Sequence, residues 1–343
     1  MSTSSQNIKP KKETESLLAG IIFVLMIGII AHIIGKVYPV IGGAVTGIII
    51  GFLIRNFIGV PKIYEKGLDY TIKKLLKVAI VLMGFSLSFS TVINVSGSAV
   101  VVVLVSVILG LVLTYFVGRM FGLSGNLPLL IGIGTSICGA TAIATTSPIL
   151  KAKEEEFVYA VNTIFAFNII AVILYPMIGQ LFDLSDHVFG IWAGAAIHDT
   201  SSVVAAGYMY SDEAGGTAVI VKLLRTLMLI PLALLLAIFV SYRFKKTNQV
   251  DTGERVKISK IFPYFILVFV GVVLLNTFIP FPTMVSDSTN FVAKFLIIMV
   301  MTSVGLKANF KDIARIGARP FIVGLISSVI IGVVSITLIL ILQ

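Results

Sequence analysis

Eleven stretches of nearly uninterrupted apolar residues, each about 17–25 long, are separated by short polar connections: roughly 17–35, 38–54, 75–94, 97–118, 127–149, 157–178, 188–209, 216–240, 261–280, 291–307 and 319–342. About 20 apolar residues make a helix long enough to cross the hydrocarbon core. The pattern predicts an all-α polytopic membrane protein with about 11 transmembrane helices. The fifth and seventh stretches are the least regular. Residues 1–16 read as a polar cytoplasmic tail, 17–343 as one transmembrane domain, and 243–260 as the one sizeable polar loop, also cytoplasmic. No small-residue cleavage site follows the first apolar run, so that run is expected to stay as a span. Residues 62–77 read either as an amphipathic segment at the interface or as an ordinary connection with a helical end.

Composition agrees with this pattern. Of 343 residues, 57% are hydrophobic and only 12% charged, against about 25% charged in soluble domains; the mean hydropathy is +1.07. The net charge of +10 would suit nucleic acid, but its placement points elsewhere. With alternating spans, Lys36, Lys151, Lys153 and Lys294 fall opposite the N-terminus, and Lys222 and Arg225 lie inside a span; the other 20 of the 26 lysines and arginines share the N-terminal side. This is the positive-inside asymmetry. It predicts a multi-pass protein of the bacterial cell membrane, with a cytoplasmic N-terminus, an external C-terminus and no nucleic-acid partner. The single cysteine excludes an internal disulfide framework.

Two stretches resemble each other: the one from Lys77, containing spans three and four, and the one from Phe295, containing spans ten and eleven. They lie seven crossings apart and so in opposite orientations, the arrangement of an inverted repeat in secondary transporters. A second likeness, I-C-G-A in span five against I-H-D-T in span seven, joins segments that this count runs in the same direction. Either it is accidental or one segment is re-entrant.

Polar residues inside spans are the candidate chemistry, because an ionised group near the bilayer centre costs at least ~2.5–3.5 kcal/mol. GIGTSICGAT in span five is poor at staying helical. It predicts a discontinuous helix with a substrate site at Gly134, Thr135, Ser136, Cys138, Gly139 and Thr141, since a half-helix N-terminus attracts anions; close packing through small residues is the alternative. In span seven, a helical reading puts His198 and Asp199 each on a face shared with Ser202. These three, with Asn162, are candidates for ion coupling, H⁺ through His198 and H⁺ or Na⁺ through Asp199; a hydrogen-bonded pair that only fixes packing is the alternative. Lys222 and Arg225, spaced i,i+3, either bind an anion or snorkel to the headgroups. Asn168 reads as glue between helices, and Glu154–Glu156 as acids suited to a helix start.

The motifs GTSICGATAI, AGAAIHDTSSVVAAG and VKLLRTLMLIP resemble the YeiH-type family of conserved bacterial membrane proteins, often labelled sulfate exporters. The likeness runs from about residue 20 to the C-terminus and includes SVGLKANFKDIARIGARPF. That family is in turn distantly similar to bile-acid/sodium symporters and cation/proton antiporters. The resemblance implies a core and a panel domain, inverted repeats and two crossing broken helices, and its polar motif falls on Thr135–Thr141, His198–Ser202, Lys222 and Arg225. The expected function is ion-coupled secondary transport of a small anion, sulfate or sulfonate-like, by alternating access. A passive anion channel or a cation/proton antiporter-like exchanger are the alternatives. No enzyme activity, cofactor or metal is expected, and a homodimer is compatible. Asp199→Asn and Arg225→Ala are each expected to abolish transport and spare folding.

Overall fold

A computed structural model describes residues 8–38, 42–246, 262–279, 281–311 and 316–342. Among these residues there is helix and no strand, the solution a bilayer favours because a helix satisfies its own backbone amides and carbonyls. In their described residues the eleven apolar stretches lie on helices, some of them interrupted. Six are long and apolar enough to cross a membrane: Glu15–Val37 within α1 (Ile8–Val37), Ala99–Met120 within α5 (Phe89–Met120), α8 (Glu154–Leu181), Asp212–Val240 across α11 (Asp212–Leu227) and α12 (Leu229–Lys246), α14 (Thr283–Lys307), and α15 (Ala318–Leu342). Lys62–Ser86 and Phe89–Gly97 make a seventh if the pair, interrupted at residues 87 and 88, counts as one span. The chain is a multi-pass membrane protein.

The remaining stretches are short or broken. α2 (Gly42–Leu53) continues as a π-helical turn, Ile54–Ile58, and α13 spans Tyr264–Phe278. Span five is divided into α6 (Leu127–Ser136) and α7 (Ala140–Leu150), and span seven into α9 (Asp186–Ala196) and α10 (Thr200–Tyr210). Residues 62–86 are helical throughout and include α3 (Glu65–Tyr70) and α4 (Leu76–Met83), so the loop reading of 62–77 gives way to helix. α1 already begins at Ile8, inside the expected tail. Most of the expected loop, residues 247–260, lies outside the described residues.

The chain forms two compact units, Met1–Ser88 with Val268–Lys311, and Phe89–Leu267 with Asp312–Gln343. In the first, small residues let backbones touch. Gly43, Gly47 and Gly51 recur every four residues along α2; a Cβ on Gly47 would stand 2.5 Å from Thr302 Oγ1, and one on Gly51 2.5 Å from Thr302 O. α2 therefore lies directly on α14. Asn56 donates to Ala308 O (2.9 Å) and accepts from Phe310 N (2.7 Å), tying the end of α2 to the chain leaving α14. Lys307 pairs with Asp69.

In the second unit the same device brings α9 onto α11. Gly190 faces Thr217, and Gly194, one turn on, faces Val221. α6 and α8 close over a cluster of Leu127, Leu130, Ile131, Ile143, Ile164 and Val323. The two mutually similar stretches take matching places, α4 against α14 in the first unit and α5 against α15 in the second.

Candidate functional site

The site is built at the two interruptions, both in the second unit. Residues 137–139 end α6 and begin α7. Ile137 leaves helical geometry at φ −122°, ψ −94°, and Gly139 turns the chain back with φ 64°, ψ −135°. A side chain at 139 would be strained, because L-residues rarely adopt that region. Its Cβ would also stand 3.4 Å from Asp199 Oδ1, so the first break is packed on the second. There, Ile197 is extended (φ −70°, ψ 137°) and Asp199 is the N-cap of α10. The interrupted segments thus carry the two similar tetrapeptides, I-C-G-A and I-H-D-T, at equivalent points.

A break leaves carbonyls at the end of one half-helix and amides at the start of the next. The carbonyls are answered by α11. Lys222 Nζ donates to Ile137 O (2.9 Å), Ile197 O (2.9 Å) and His198 O. Arg225 donates through Nε to Ser136 O (2.6 Å), through Nη1 to Ala195 O and Ile197 O (3.2 Å), and through Nη2 to Thr135 O. Both side chains are fully buried. They do not snorkel. Two cations meet the negative dipole ends of α6 and α9 and clamp them together. An ammonium has three donors and a guanidinium five, so Lys222 keeps no hydrogen for an anion and Arg225 keeps one. The immediate partners of these cations are carbonyls of their own chain.

His198 extends the knot. Its Nδ1 donates to Thr135 O (3.0 Å), since a carbonyl can only accept, and its Nε2 stands 2.8 Å from Ser328 Oγ on α15. Asp199 N donates to Asn168 Oδ1 on α8 (3.0 Å). The carboxylate of Asp199 accepts from Ser201, through N (2.9 Å) and through Oγ.

Several expected residues meet here, others do not. Thr135 and Ser136 enter through backbone oxygens; the Thr135 hydroxyl bonds back to Ile131 O (2.9 Å), and Ser136 Oγ is buried with no partner among the described residues. Gly134 packs against Ile143 and Ile164, Cys138 is a buried free thiol, and Thr141 is exposed at the start of α7. The shared face for Ser202 is corrected: residues 197–199 are not helical, with Ile197 and Asp199 extended, so the Asp199 carboxylate meets Ser201 instead, while Ser202 is buried in α10. Asn162 lies on α8 but is not among the partners of the two breaks; Asn168, read as glue, is. Ser328 was missed, and its one signal is a Ser-Ser pair inside an otherwise apolar span.

The amides at the two half-helix starts are treated differently. α10 is capped by Asp199. The N-cap of α7 is a glycine and offers no side chain, although the Ala142 amide is met by Gly139 O (3.2 Å) and by the Cys138 sulfur. Gly139→Ala is expected to cost about 1–3 kcal/mol through backbone strain and to move the start of α7 away from Asp199. A thermal-unfolding midpoint lowered by several degrees, together with lost transport, is the expected result; a wild-type midpoint would show that the break tolerates a side chain.

Residues 19–324, which include both breaks, Lys222 and Arg225, match the family described as Conserved hypothetical protein 698. The chain belongs to this family. A UPF0324 membrane protein of Clostridium tetani (strain Massachusetts / E88) is 38% identical over 326 residues, 92% of this chain and 94% of its own. UPF0324 membrane protein spr0034 of Streptococcus pneumoniae (strain ATCC BAA-255 / R6) is 37% identical over 318 residues, 90% and 92% of the two chains. UPF0324 membrane protein FN0533 of Fusobacterium nucleatum is 34% identical over 342 residues, 94% and 97%. The conserved hypothetical protein 698 family is the one that the three central motifs resemble.

Proposed function

We propose that this chain is a secondary active transporter of a small anion, sulfate or sulfonate-like, coupled to H⁺ or Na⁺ in the bacterial cell membrane. The observation that carries the reading is the start of α7, whose N-cap is a glycine, beside Asp199. The first amides of the half-helix, those of Ala140 and Thr141, carry partial positive charge and suit an anion. The exposed Thr141 supplies a hydroxyl beside those amides. Lys222 and Arg225 hold the breaks in register and leave a net positive field beneath them. Asp199 is only partly buried, and ionised it repels the same anion. Its neutralisation by a proton or a sodium ion is therefore the step that admits the substrate, which is how coupling arises from two charges in one site. The lysine and arginine asymmetry supports a cytoplasmic N-terminus and an external C-terminus.

The test is a thermal-shift panel on detergent-purified protein with sulfate, sulfite, thiosulfate, small sulfonates, bicarbonate and carboxylates, each with and without Na⁺ at pH 5.5 and 8. A ligand at ~100 times its dissociation constant adds ~2.7 kcal/mol. One anion class is expected to stabilise the protein, and only with Na⁺ or at the lower pH. Absence of any anion shift in all conditions would end the anion reading. Proteoliposome flux that neither saturates nor responds to counter-substrate would replace the transporter with a channel.

A further inference from the structure

Behind the second break, the second unit has a pocket of about 240 Å³ that the proposed transport does not use. It lies between α8, α9 and α15. Leu174, Tyr175, Trp192, His198, Ser328 and Val329 line it, and Tyr175 and Trp192 lie ring against ring at 4.5 Å. Four of these residues carry a polar atom, Tyr175, Trp192, His198 and Ser328, and the last three turn it inward. Trp192 Nε1 donates to Gly332 O (2.8 Å), while Ser328 Oγ lies between His198 Nε2 (2.8 Å) and Gly324 O (2.7 Å). Water needs two to four polar partners to stay in a cavity and finds few there. A peptide backbone would find as little for its own amides and carbonyls.

The mouth indicates what enters. Its rim is Ile170 and Leu174 on α8 with Val329 and Val333 on α15, between 40% and 56% exposed. These residues sit near the midpoints of Glu154–Leu181 and Ala318–Leu342, two helices long enough to cross the bilayer. At that depth the surrounding medium is hydrocarbon. Exposed apolar side chains continue along both helices, at Met177 and Leu181 and at Leu325 and Leu340. A helix of a second copy is roughly 10 Å across and would cover this mouth without filling the pocket.

We infer that the pocket is a lipid site that takes one acyl chain from the bilayer, with the inserted chain against Trp192 and His198. The chain completes the packing behind Ile197 and keeps water from the His198–Ser328 contact, so the site adjoins the second break from its membrane side. This inference does not depend on the nature of the transported solute.

Trp192 is the only tryptophan, and it is 6% exposed. The full chain is reconstituted in phosphatidylcholine vesicles whose acyl chains carry bromine at mid-chain, and in matched unbrominated vesicles. A bromine inside the pocket touches the indole, so strong quenching of Trp192 is expected. Val333→Phe at the rim and Ala171→Phe in the wall fill the pocket and are expected to restore most of the fluorescence. Each variant is compared with itself in unbrominated vesicles, and an unchanged emission maximum there shows an intact fold around the indole. Val333 is more than half exposed, so its variant folds even if Ala171→Phe does not. Unquenched Trp192 in brominated vesicles would overturn the inference and leave the face to a second copy or to nothing. Equal quenching in the wild type and Val333→Phe would also overturn it, by showing that the bromines act from the bulk lipid.

Discussion

Arg225→Ala is expected to destabilise the protein by roughly 2–6 kcal/mol, the cost of two buried acceptors left without a donor at about 1–3 kcal/mol each. Four N–H groups of Arg225 reach carbonyls of Thr135, Ser136, Ala195 and Ile197. Three of those oxygens belong to the last turns of α6 and α9, which have no helical amide left to receive, and that of Ile197 lies in the break itself. With alanine, Thr135 O keeps His198 Nδ1 and Ile197 O keeps Lys222 Nζ, but Ser136 O and Ala195 O lose their side-chain donor, and a buried orphan acceptor costs about 1–3 kcal/mol. From the sequence this variant is expected to lose transport and keep its fold; the geometry makes loss of fold the larger effect. Arg225→Lys keeps the charge but not the planar fork and is expected to fall between the two. The measurement is the unfolding midpoint of detergent-purified variants, with the fraction that elutes as one species. A wild-type midpoint for Arg225→Ala would mean that water replaces the guanidinium, and would return Arg225 to the role of an anion ligand.

Asp199→Asn is expected to do the opposite: keep the fold and abolish gradient-driven transport. Asparagine caps a helix about as well as aspartate, and it can still accept from Ser201 N and Oγ, so α10 stays in place. What disappears is one negative charge. If the proposed anion binds at the start of α7 at about 5 Å from that carboxylate, two unit charges there would repel by about 3 kcal/mol at an effective dielectric of 20. Solvent at the partly exposed carboxylate reduces this, leaving a change in anion affinity of the order of tenfold to a hundredfold. The thermal shift by the anion is therefore expected to lose its dependence on Na⁺ and pH, while proteoliposome flux no longer follows an imposed ion gradient. Coupled flux at the wild-type rate would remove Asp199 from the mechanism.

Local sequence determined where the apolar helices lie and where one of them, span five, fails. Hydropathy sums over neighbours, and the glycine and hydroxyl cluster at 132–141 weakens a helix by properties of its own residues, whereas the spacing around His198 and Asp199 reads as helix and the break there came from the tertiary structure. Lysine and arginine placement likewise needs only a count along the chain. The spacing of Lys222 and Arg225 showed that they share a face. What that face meets was decided by the tertiary structure alone. The carbonyl of Ile137 lies 85 positions from Lys222, Thr135 lies 90 from Arg225, and Ser328 lies 130 from His198. Backbone oxygens have no signature in a sequence, since every residue carries one. Only the packing of α9 on α11 through Gly190 and Gly194, and of α6 beside them, turns six ordinary carbonyls into a cradle for two buried cations.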